Sequence, residues 1–395
     1  MESVETVIAQ LAEIHDRAVE TLRADILAFA REGTLPDAAR RLDGSYAYPE
    51  LVIRYHGEPP SSTRGLAYGR LNAPGTYATT VTKPRLFADY LTEQLELIAA
   101  DYPVEVTVRA SRQEIPFPYV LDGEAGTILA GIEPQVLARH FPATELALIG
   151  DELADGIELG GPDETIPLSL FDGLRTDFSL ARLAHYTGTS TEHFQRFILF
   201  TNYHRYVDEF VAWACEELQR EGSRYTALSG AGGVYVTPET ADPARMIADS
   251  AWRRHQMPAY HLIAPDRSGI TLVNIGVGPS NAKNITDHLA VLRPHCWLMI
   301  GHCGGLRQSQ TIGDYVLAHA YMRRDGILDR VLPPHIPLPA LAEVQQALQE
   351  AAKLVTGEEG DELKKRLRTG TVLTYDDRNW ELRWAQERPL INLSR

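Results

Sequence analysis

Residues 3 to 42 place apolar side chains three and four positions apart among charged ones, as in Val7, Leu11, Ile14 and Val19. This spacing puts the apolar groups on one face of a helix, so the segment predicts helices packed along one side. The pattern then changes to runs rich in β-branched and aromatic residues, which predict strands. These runs lie at 48–57, 75–83 and 104–111, with a predicted helix at 86–102. The amino-terminal part is therefore predicted to be an α+β domain.

An acidic segment with glycines at 151–167 has no sustained periodicity, and this pattern predicts a linker or a surface loop. Beyond it, apolar strands, glycine-rich turns and helices alternate. The predicted strands are 197–201, 270–276, 295–301 and 314–322, and the predicted helices are 206–218 and 281–292. Strands that are apolar on both faces and alternate with helices indicate a mostly parallel sheet flanked by helices. We therefore predict an α/β protein with an amino-terminal domain at 1–175 and a carboxyl-terminal domain at 176–395.

Length, composition and charge reduce the number of protein classes to which the chain can belong. The 395 residues agree with two domains, because single hydrophobic cores stop growing at roughly 250–300 residues. The chain has neither an apolar run long enough to span a membrane nor a secretory signal, which predicts a cytoplasmic protein without membrane contact. Three cysteines are too few for a disulfide framework. The net charge of −15 opposes nucleic-acid binding, so an anionic ligand needs a local cluster of arginines and backbone N–H groups.

The stretch MIGHCGGLRQSQTIGDYVL at 299–317 joins two predicted strands through a turn that holds histidine, cysteine and glycine. His295 with Cys296 and His302 with Cys303 form two pairs, but neighbouring strand residues point to opposite faces and cannot easily chelate one ion. No metal ion is therefore expected. A thiol nucleophile needs a histidine base and oxyanion donors that spacing does not supply, so Cys303 is interpreted as a buried structural cysteine.

The glycines of this turn, Gly301, Gly304 and Gly305, follow an apolar strand, so bare backbone can approach a flat or anionic ligand. A second turn, NIGVGPSNAKN at 274–284, also follows an apolar strand and opens a helix. The need for a tight turn would explain one such cluster by itself. Two glycine-lined strand ends beside helix amino termini favour an anion or nucleoside site.

A third strand end places Thr201, Asn202, His204 and Arg205 at a helix start. Thr201 or Asn202 can be a helix cap beside a solvated arginine. In an acidic protein, however, an arginine at a strand end also suits a phosphate, with which its planar fork forms two hydrogen bonds. A fourth strand ends near Trp380, which either stacks on a base or belongs to the core.

In this order the strand ends resemble the purine nucleoside phosphorylase and uridine phosphorylase family. The matching motifs are Arg205, Gly276-Val277-Gly278-Pro279-Ser280, Gly301 to Leu306, and Gly313 to Val316. Within that family the chain is most similar to the AMP nucleosidases, over nearly its whole length. The segments that carry this likeness are 256–263 and 368–383 and, in an extra amino-terminal domain, 69–91 and 113–123.

The resemblance implies an N-glycosidase that hydrolyses AMP to adenine and ribose 5-phosphate, in purine salvage and control of adenylate levels, with no required cofactor. It also implies a homohexamer and a regulatory amino-terminal domain, with ATP as activator and phosphate as inhibitor. Basic side chains near strand ends of that domain are Arg64, Arg70 and Lys83. In the resemblance, Arg253 or Arg254 from a neighbouring subunit joins Arg205 in holding a phosphate. The substrate-binding residues implied are Thr201, Asn202, Arg205, Arg253, Arg254, Gly276, Gly278, Gly301, His302 and Trp380.

Two departures from the family pattern concern catalysis. Met299 and His302 stand where phosphorylases have an arginine and a serine that hold the attacking phosphate, so water is the expected nucleophile. The family's D-M-E-S segment, with a ribose-binding glutamate, and a later aspartic acid that protonates the purine do not occur before Arg395. We therefore expect the sequence to stop short of them, with the catalytic residues unassigned. A phosphate-dependent nucleoside phosphorylase and a catalytically inactive nucleotide-binding subunit remain alternatives.

Overall fold

The structure is a computed structural model that describes residues 3–57, 71–121, 129, 131–157, 165–377, 379–383, 385 and 388. Arg64, Arg70 and residues 158–164 of the predicted linker lie outside the described residues. The chain divides into two compact units, Met1–Ala184 and His185–Arg395. This boundary and the predicted one after residue 175 both fall within one helix, Gly173–Thr187.

The amino-terminal unit contains a four-stranded sheet with helices. Its strands are β1 (Ala47–Tyr55), β2 (Gly75–Thr80), β3 (Val104–Glu114) and β4 (Ile166–Pro167), in the order β3-β1-β2-β4. β1 is antiparallel to β2 and β3, whereas β4 is parallel to β2. The helices are α1 (Val4–Glu32), α2 (Ala88–Asp101), α3 (Pro134–His140) and α4 (Gly173–Thr187). The predicted α+β character of this unit is therefore confirmed.

Helix α1 forms because both of its ends are capped and one face is apolar. The Ser3 hydroxyl accepts a hydrogen bond from the Thr6 N–H at 3.2 Å, and the helix ends where Gly33 takes a φ of 70°. Leu22 and Ile26 from its apolar face pack with Tyr46, just before β1, and with Tyr48 of β1. The predicted helical region to residue 42 thus becomes one long helix followed by a short 3-10 turn at Ala38–Arg41.

A buried polar group sits inside this unit. The Tyr48 hydroxyl donates to Asp177 Oδ2 at 2.7 Å, and the Thr82 hydroxyl donates to Asp177 Oδ1 at 2.8 Å. Burial raises the pKa of Asp177 to about 6, although these two hydrogen bonds oppose the rise. The backbone N–H of Lys83 donates to His15 Nε2 at 3.2 Å beside this group.

The carboxyl-terminal unit contains a six-stranded and a three-stranded sheet. The strands of the first are β5 (Phe197–Thr201), β6 (Ala227–Gly230), β7 (Val234–Val236), β8 (Ala259–Ile263), β9 (Ile270–Asn274) and β10 (Cys296–Ile300), ordered β10-β5-β9-β8-β6-β7. The second contains β11 (Tyr315–Arg324), β12 (Leu338–Pro339) and β13 (Leu367–Tyr375), ordered β12-β11-β13. The helices are α5 (His204–Gln219), α6 (Pro243–Ala248), α7 (Pro279–Leu289), α8 (Ala342–Thr356) and α9 (Gly360–Arg366).

The α/β class is confirmed, with a correction to the predicted sheet. β10, β5 and β9 pair in parallel, and so do β11 and β13. The prediction of a mostly parallel sheet does not extend to β8, β6 and β7, which pair antiparallel. The connection between β6 and β7 is too short for a crossover, and so it can only form a hairpin.

The core of this unit lies between α5 and the sheet. Apolar side chains at helical spacing on α5, including Val207, Phe210 and Leu218, pack against Leu228 and Leu272 from the strands. β10 has a strand partner on one side among the described residues, and Met299 is 55% exposed there. No helix in the described part of the chain is both long and apolar enough to cross a membrane.

His261 anchors a buried polar network between the strands. Its Nδ1 lies 2.9 Å from the Thr271 hydroxyl and its Nε2 lies 2.9 Å from the Thr189 hydroxyl. The Thr271 hydroxyl also accepts the N–H of Gln195 at 2.9 Å. Burial, reinforced by the charge of His193, lowers the pKa of His261 well below its ordinary value, so the folded protein holds this ring neutral.

The His261→Gln variant should therefore lose stability mainly at neutral pH. Below the ordinary histidine pKa of about 6.5, the unfolded chain takes up a proton that the folded state does not, so the stabilising contribution of His261 falls with pH. We expect the free energy of unfolding of wild type to exceed that of the variant at pH 7.5. This gap should shrink by about 1.4 kcal/mol at pH 5.5, as measured by urea titration. His335→Gln, at an exposed histidine, is the control. An equal gap at both pH values would contradict the assignment.

Candidate active site

The carboxyl ends of three parallel strands lie side by side. Thr201 at the end of β5 pairs with Asn274 at the end of β9 and, on its other side, with Ile300 at the end of β10. The three turns singled out from the sequence therefore begin side by side at the carboxyl edge of the sheet, where these strands end. This edge is where ligands bind in sheets of this class, because the loops and helix amino termini converge there.

The turn from β9 to α7 exposes backbone to this edge. The Asn274 side-chain oxygen accepts the Gly276 N–H at 3.1 Å, and the Asn281 amide donates to the Ile275 carbonyl at 3.0 Å. Gly278 has a φ of 113°, which L side chains rarely adopt, and Pro279 starts the helix. The amino terminus of α7, which is the positive end of its dipole, therefore begins at this edge and has no side-chain cap.

The turn from β5 to α5 supplies polar and cationic groups. The buried Thr201 hydroxyl accepts the Tyr203 N–H at 3.2 Å, and α5 itself has no side-chain cap. The side-chain oxygen of Asn202 is buried and has no hydrogen-bond partner in the described residues. Arg205 is exposed in the first turn of α5, and no described carboxylate forms an ion pair with it. Arg205 is thus available to an anion in solution.

The turn after β10 contacts the turn after β5. A Cβ on Gly301 would lie 3.4 Å from the Asn202 side-chain oxygen, so the two turns are in contact. The His302 ring lies 4.1 Å from the Tyr203 ring and 5.5 Å from the Tyr206 ring, measured between centroids. His302 is therefore held by aromatic contacts at the start of α5.

Trp380 lies beside the same glycine-rich turn. A Cβ on Gly304 would be 3.8 Å from the Trp380 indole, whose ring centroid lies 6.4 Å from that of Tyr375. Arg368 on β13 donates to Asp314 Oδ2 at 2.7 Å. Hydrogen bonding by the Thr311 N–H, together with Arg368, holds the pKa of Asp314 below its ordinary value. The loop between β10 and β11 is therefore tied to β13 by an ion pair.

Arg253 and Arg254 occupy a short 3-10 turn, Trp252–Arg254, and both side chains are exposed. The Arg253 guanidinium carbon lies 4.4 Å from the centroid of the Trp252 ring. The Trp252 ring in turn lies 5.2 Å from the ring of His204, at the start of α5. The structure thus joins Arg253, but not Arg254, to the start of α5 through contacts of Trp252 and His204 in the described residues.

Comparisons with known proteins identify the family. The chain is 56% identical over 386 residues to the AMP nucleosidase of Escherichia coli (strain K12), covering 98% of this chain and 79% of that protein. The chain belongs to the AMP nucleosidase family. The AMP nucleosidase of Escherichia coli O157:H7 matches with the same identity and coverage. The predicted resemblance to AMP nucleosidases is confirmed.

Two domain families match different parts of this AMP nucleosidase family member. Residues 6–165 match the family described as "Bacterial AMP nucleoside phosphorylase N-terminus", and residues 250–388 match the "Phosphorylase superfamily". Among solved structures, AMP nucleosidase from Bacteroides thetaiotaomicron VPI-5482 is 24% identical, with a TM-score of 0.40 over 55% of this chain and 74% of that chain. Purine nucleoside phosphorylase from Toxoplasma gondii in complex with immucillin-H is 15% identical, with a TM-score of 0.33 over 49% and 63%.

Several residues at this edge were not predicted from the sequence. Asn274 joins the Gly276 amide to His204, and Trp252 supports Arg253. Asn274 could have been found as the polar residue that ends an apolar strand. The role of Trp252 depends on a contact with a residue far away in the sequence, and no local pattern indicates such a contact.

The interpretation of Cys303 as a buried structural cysteine is wrong, because its side chain is exposed. It follows a strand at the edge of the sheet, where no further strand in the described residues covers the loop. Burial instead raises the pKa of Cys215 on α5, to which the charges of Asp242 and Glu216 add. The described residues contain no group of three or more histidine, cysteine or acidic side chains that could hold a metal ion.

Thiol labelling of the native protein should distinguish these cysteines. Cys303 is expected to react fastest with a disulfide reagent at pH 8, because it is exposed, whereas Cys215 should react only after unfolding. Absorbance at the wavelength of the released thiolate gives the rates. Cys303→Ser should remove the fast phase, and Cys215→Ser should leave it intact. A fast phase that persists in Cys303→Ser would contradict the placement of this loop.

Proposed function

We propose that this protein binds AMP at the carboxyl edge of β5, β9 and β10 and hydrolyses its N-glycosidic bond to give adenine and ribose 5-phosphate. The observation that carries this proposal is the meeting of Arg205, the Gly276–Gly278 turn and the Gly301 turn at one strand edge. It is supported by 56% identity to a protein named AMP nucleosidase.

The proposed roles follow from charge and access. Arg205 is an exposed cation near the amino terminus of α5, and it can form paired hydrogen bonds with a phosphate, either the substrate's 5′-phosphate or an inhibitory phosphate. Arg253 and Arg254 supply further positive charge, and the resemblance adds that they can act across subunits. Gly276, Gly278 and Gly301 would then lie against ribose and base, and Trp380 would stack on adenine.

Cleavage is proposed to proceed through a ribosyl cation that water captures. A phosphate nucleophile carries two negative charges and would need a cationic partner on β10. Met299, the residue at that position, is neutral and 55% exposed, and so it cannot offset the cost of desolvating phosphate. Hydrolysis is therefore favoured over phosphorolysis. Thr201, Asn202 and His302 complete the walls of the proposed binding site, and the donor of a proton to adenine is unassigned.

We further propose a cytoplasmic homohexamer that needs no cofactor, is activated by ATP and is inhibited by phosphate. The resemblance to AMP nucleosidases supports the homohexamer, the activation by ATP and the inhibition by phosphate. Three free cysteines support the reducing compartment. In the amino-terminal unit, Lys83 is half-buried with a φ of 43°, a backbone conformation that is uncommon outside glycine and often found at functional sites.

Purified protein incubated with AMP in phosphate-free buffer, with and without ATP, should release adenine and ribose 5-phosphate. Chromatography of the products gives the rates, and equilibrium dialysis gives the affinity for AMP. Adenine release that requires phosphate and yields ribose 1,5-bisphosphate would establish a phosphorylase instead. AMP binding without adenine release would establish a nucleotide-binding subunit. Addition of phosphate should slow the hydrolysis.

Arg205→Ala should weaken AMP binding by about tenfold to a hundredfold, because a charge-assisted hydrogen bond contributes roughly 1.5–3 kcal/mol. Binding of adenosine, which has no phosphate, should change little. Arg205→Lys should recover part of the loss, since it keeps the charge but not the paired geometry. Arg220→Ala, at the opposite end of α5, is the matched control. An equal loss of AMP and adenosine affinity would show that Arg205 does not recognise the phosphate.

A further inference from the structure

The ring of Trp252 stacks with the guanidinium of Arg253, one of the two predicted arginines in this 3-10 turn. The Arg253 guanidinium carbon lies 4.4 Å from the centroid of the indole. Trp252 is half-buried and Arg253 is exposed. Stacking of a guanidinium on tryptophan is the strongest of the common cation–π contacts, and it limits the positions that a long flexible side chain explores.

The turn that bears Trp252 is fixed by its neighbours. The Met257 N–H donates to the Tyr186 carbonyl at 2.9 Å, just after the turn. A Cβ on Gly232 would approach the backbone nitrogen of Ala251 to 2.8 Å, so the hairpin between β6 and β7 packs directly against the turn. These contacts fix the backbone at Trp252, and they therefore also fix the point from which its ring extends.

The indole also contacts the start of α5, which belongs to the candidate site. Its centroid is 5.2 Å from that of His204, and His204 Nδ1 lies 3.4 Å from the Asn274 side-chain nitrogen. The Asn274 side-chain oxygen accepts the Gly276 N–H at 3.1 Å. This hydrogen bond orients the Asn274 amide, which then donates to His204. A continuous set of contacts thus joins Arg253 to the glycine turn after β9.

We propose that Trp252 is a positioning residue: its indole, which contacts His204 at the start of α5, holds the Arg253 guanidinium in position for the 5′-phosphate of AMP. This inference rests on the proposed AMP-binding function and adds a residue to it. Arg253 bears the charge that contacts the phosphate, and Trp252 acts through Arg253. Removal of the ring would free the Arg253 side chain to explore other rotamers, and holding it against the phosphate would then cost more conformational entropy.

Equilibrium dialysis of AMP and adenosine against wild type, Trp252→Leu, Trp252→Phe, Arg253→Ala and the double variant Trp252→Leu/Arg253→Ala tests this role. Trp252→Leu should weaken AMP binding by about three- to tenfold and leave adenosine binding unchanged. Trp252→Phe keeps an aromatic face and should recover most of the affinity. Arg253→Ala should lose about tenfold or more, and Trp252→Leu should then add nothing.

The control and the outcomes separate this inference from the proposed function. Trp213→Leu removes another partly exposed tryptophan, which packs on Phe210 and Tyr225, and it should leave AMP binding unchanged. Wild type that binds adenosine as tightly as AMP would overturn the proposed phosphate recognition itself. If wild type prefers AMP, the positioning role is overturned when Trp252→Leu binds AMP like wild type. It is equally overturned when Trp252→Leu weakens adenosine to the same extent, or weakens AMP further in the Arg253→Ala background.

Discussion

Parallel pairing of β5 with both β9 and β10 is the constraint on which the candidate site depends. Thr201 faces Asn274 on one side and Ile300 on the other, so turns far apart in sequence leave the sheet at the same level. A slip of one residue would move a turn by about 3.3 Å and send the side chains of its strand to the opposite face. The contact between Gly301 and Asn202 would then be lost.

Much of this arrangement could be predicted from the sequence, because buried faces produce regular spacing of apolar residues and tight turns favour glycine. The apolar face of α5, the strands β5, β9 and β10, and the glycine turns after β9 and β10 all follow from spacing and residue type. The hairpin of β6 and β7 and the helices α8 and α9 were not predicted. Each strand of this hairpin is at most four residues long, too short for an alternation of apolar and polar residues to stand out.

Sequence reasoning failed where the answer depends on which strand lies next in the sheet. Cys303 follows an apolar strand, and an apolar strand is usually covered on both sides. β10, however, lies at the edge of its sheet in the described residues, and so the loop after it is exposed. Trp252 illustrates the same limit. Its neighbours His204 and Asn274 belong to other elements, and only the fold brings their side chains together.

The edge position of β10 also affects how the protein behaves at high concentration. Trp297, Met299 and Ile300 are at least partly exposed on a strand that has no partner on its outer side within the described residues, and such a side can pair with a strand from another molecule. The net charge of −15 repels identical copies and opposes such contacts. Salt shortens the range of this repulsion, to about 3 Å at 1 M ionic strength. Colloidal stability of the protein therefore depends on its charge, and dilute buffer preserves it better than concentrated salt.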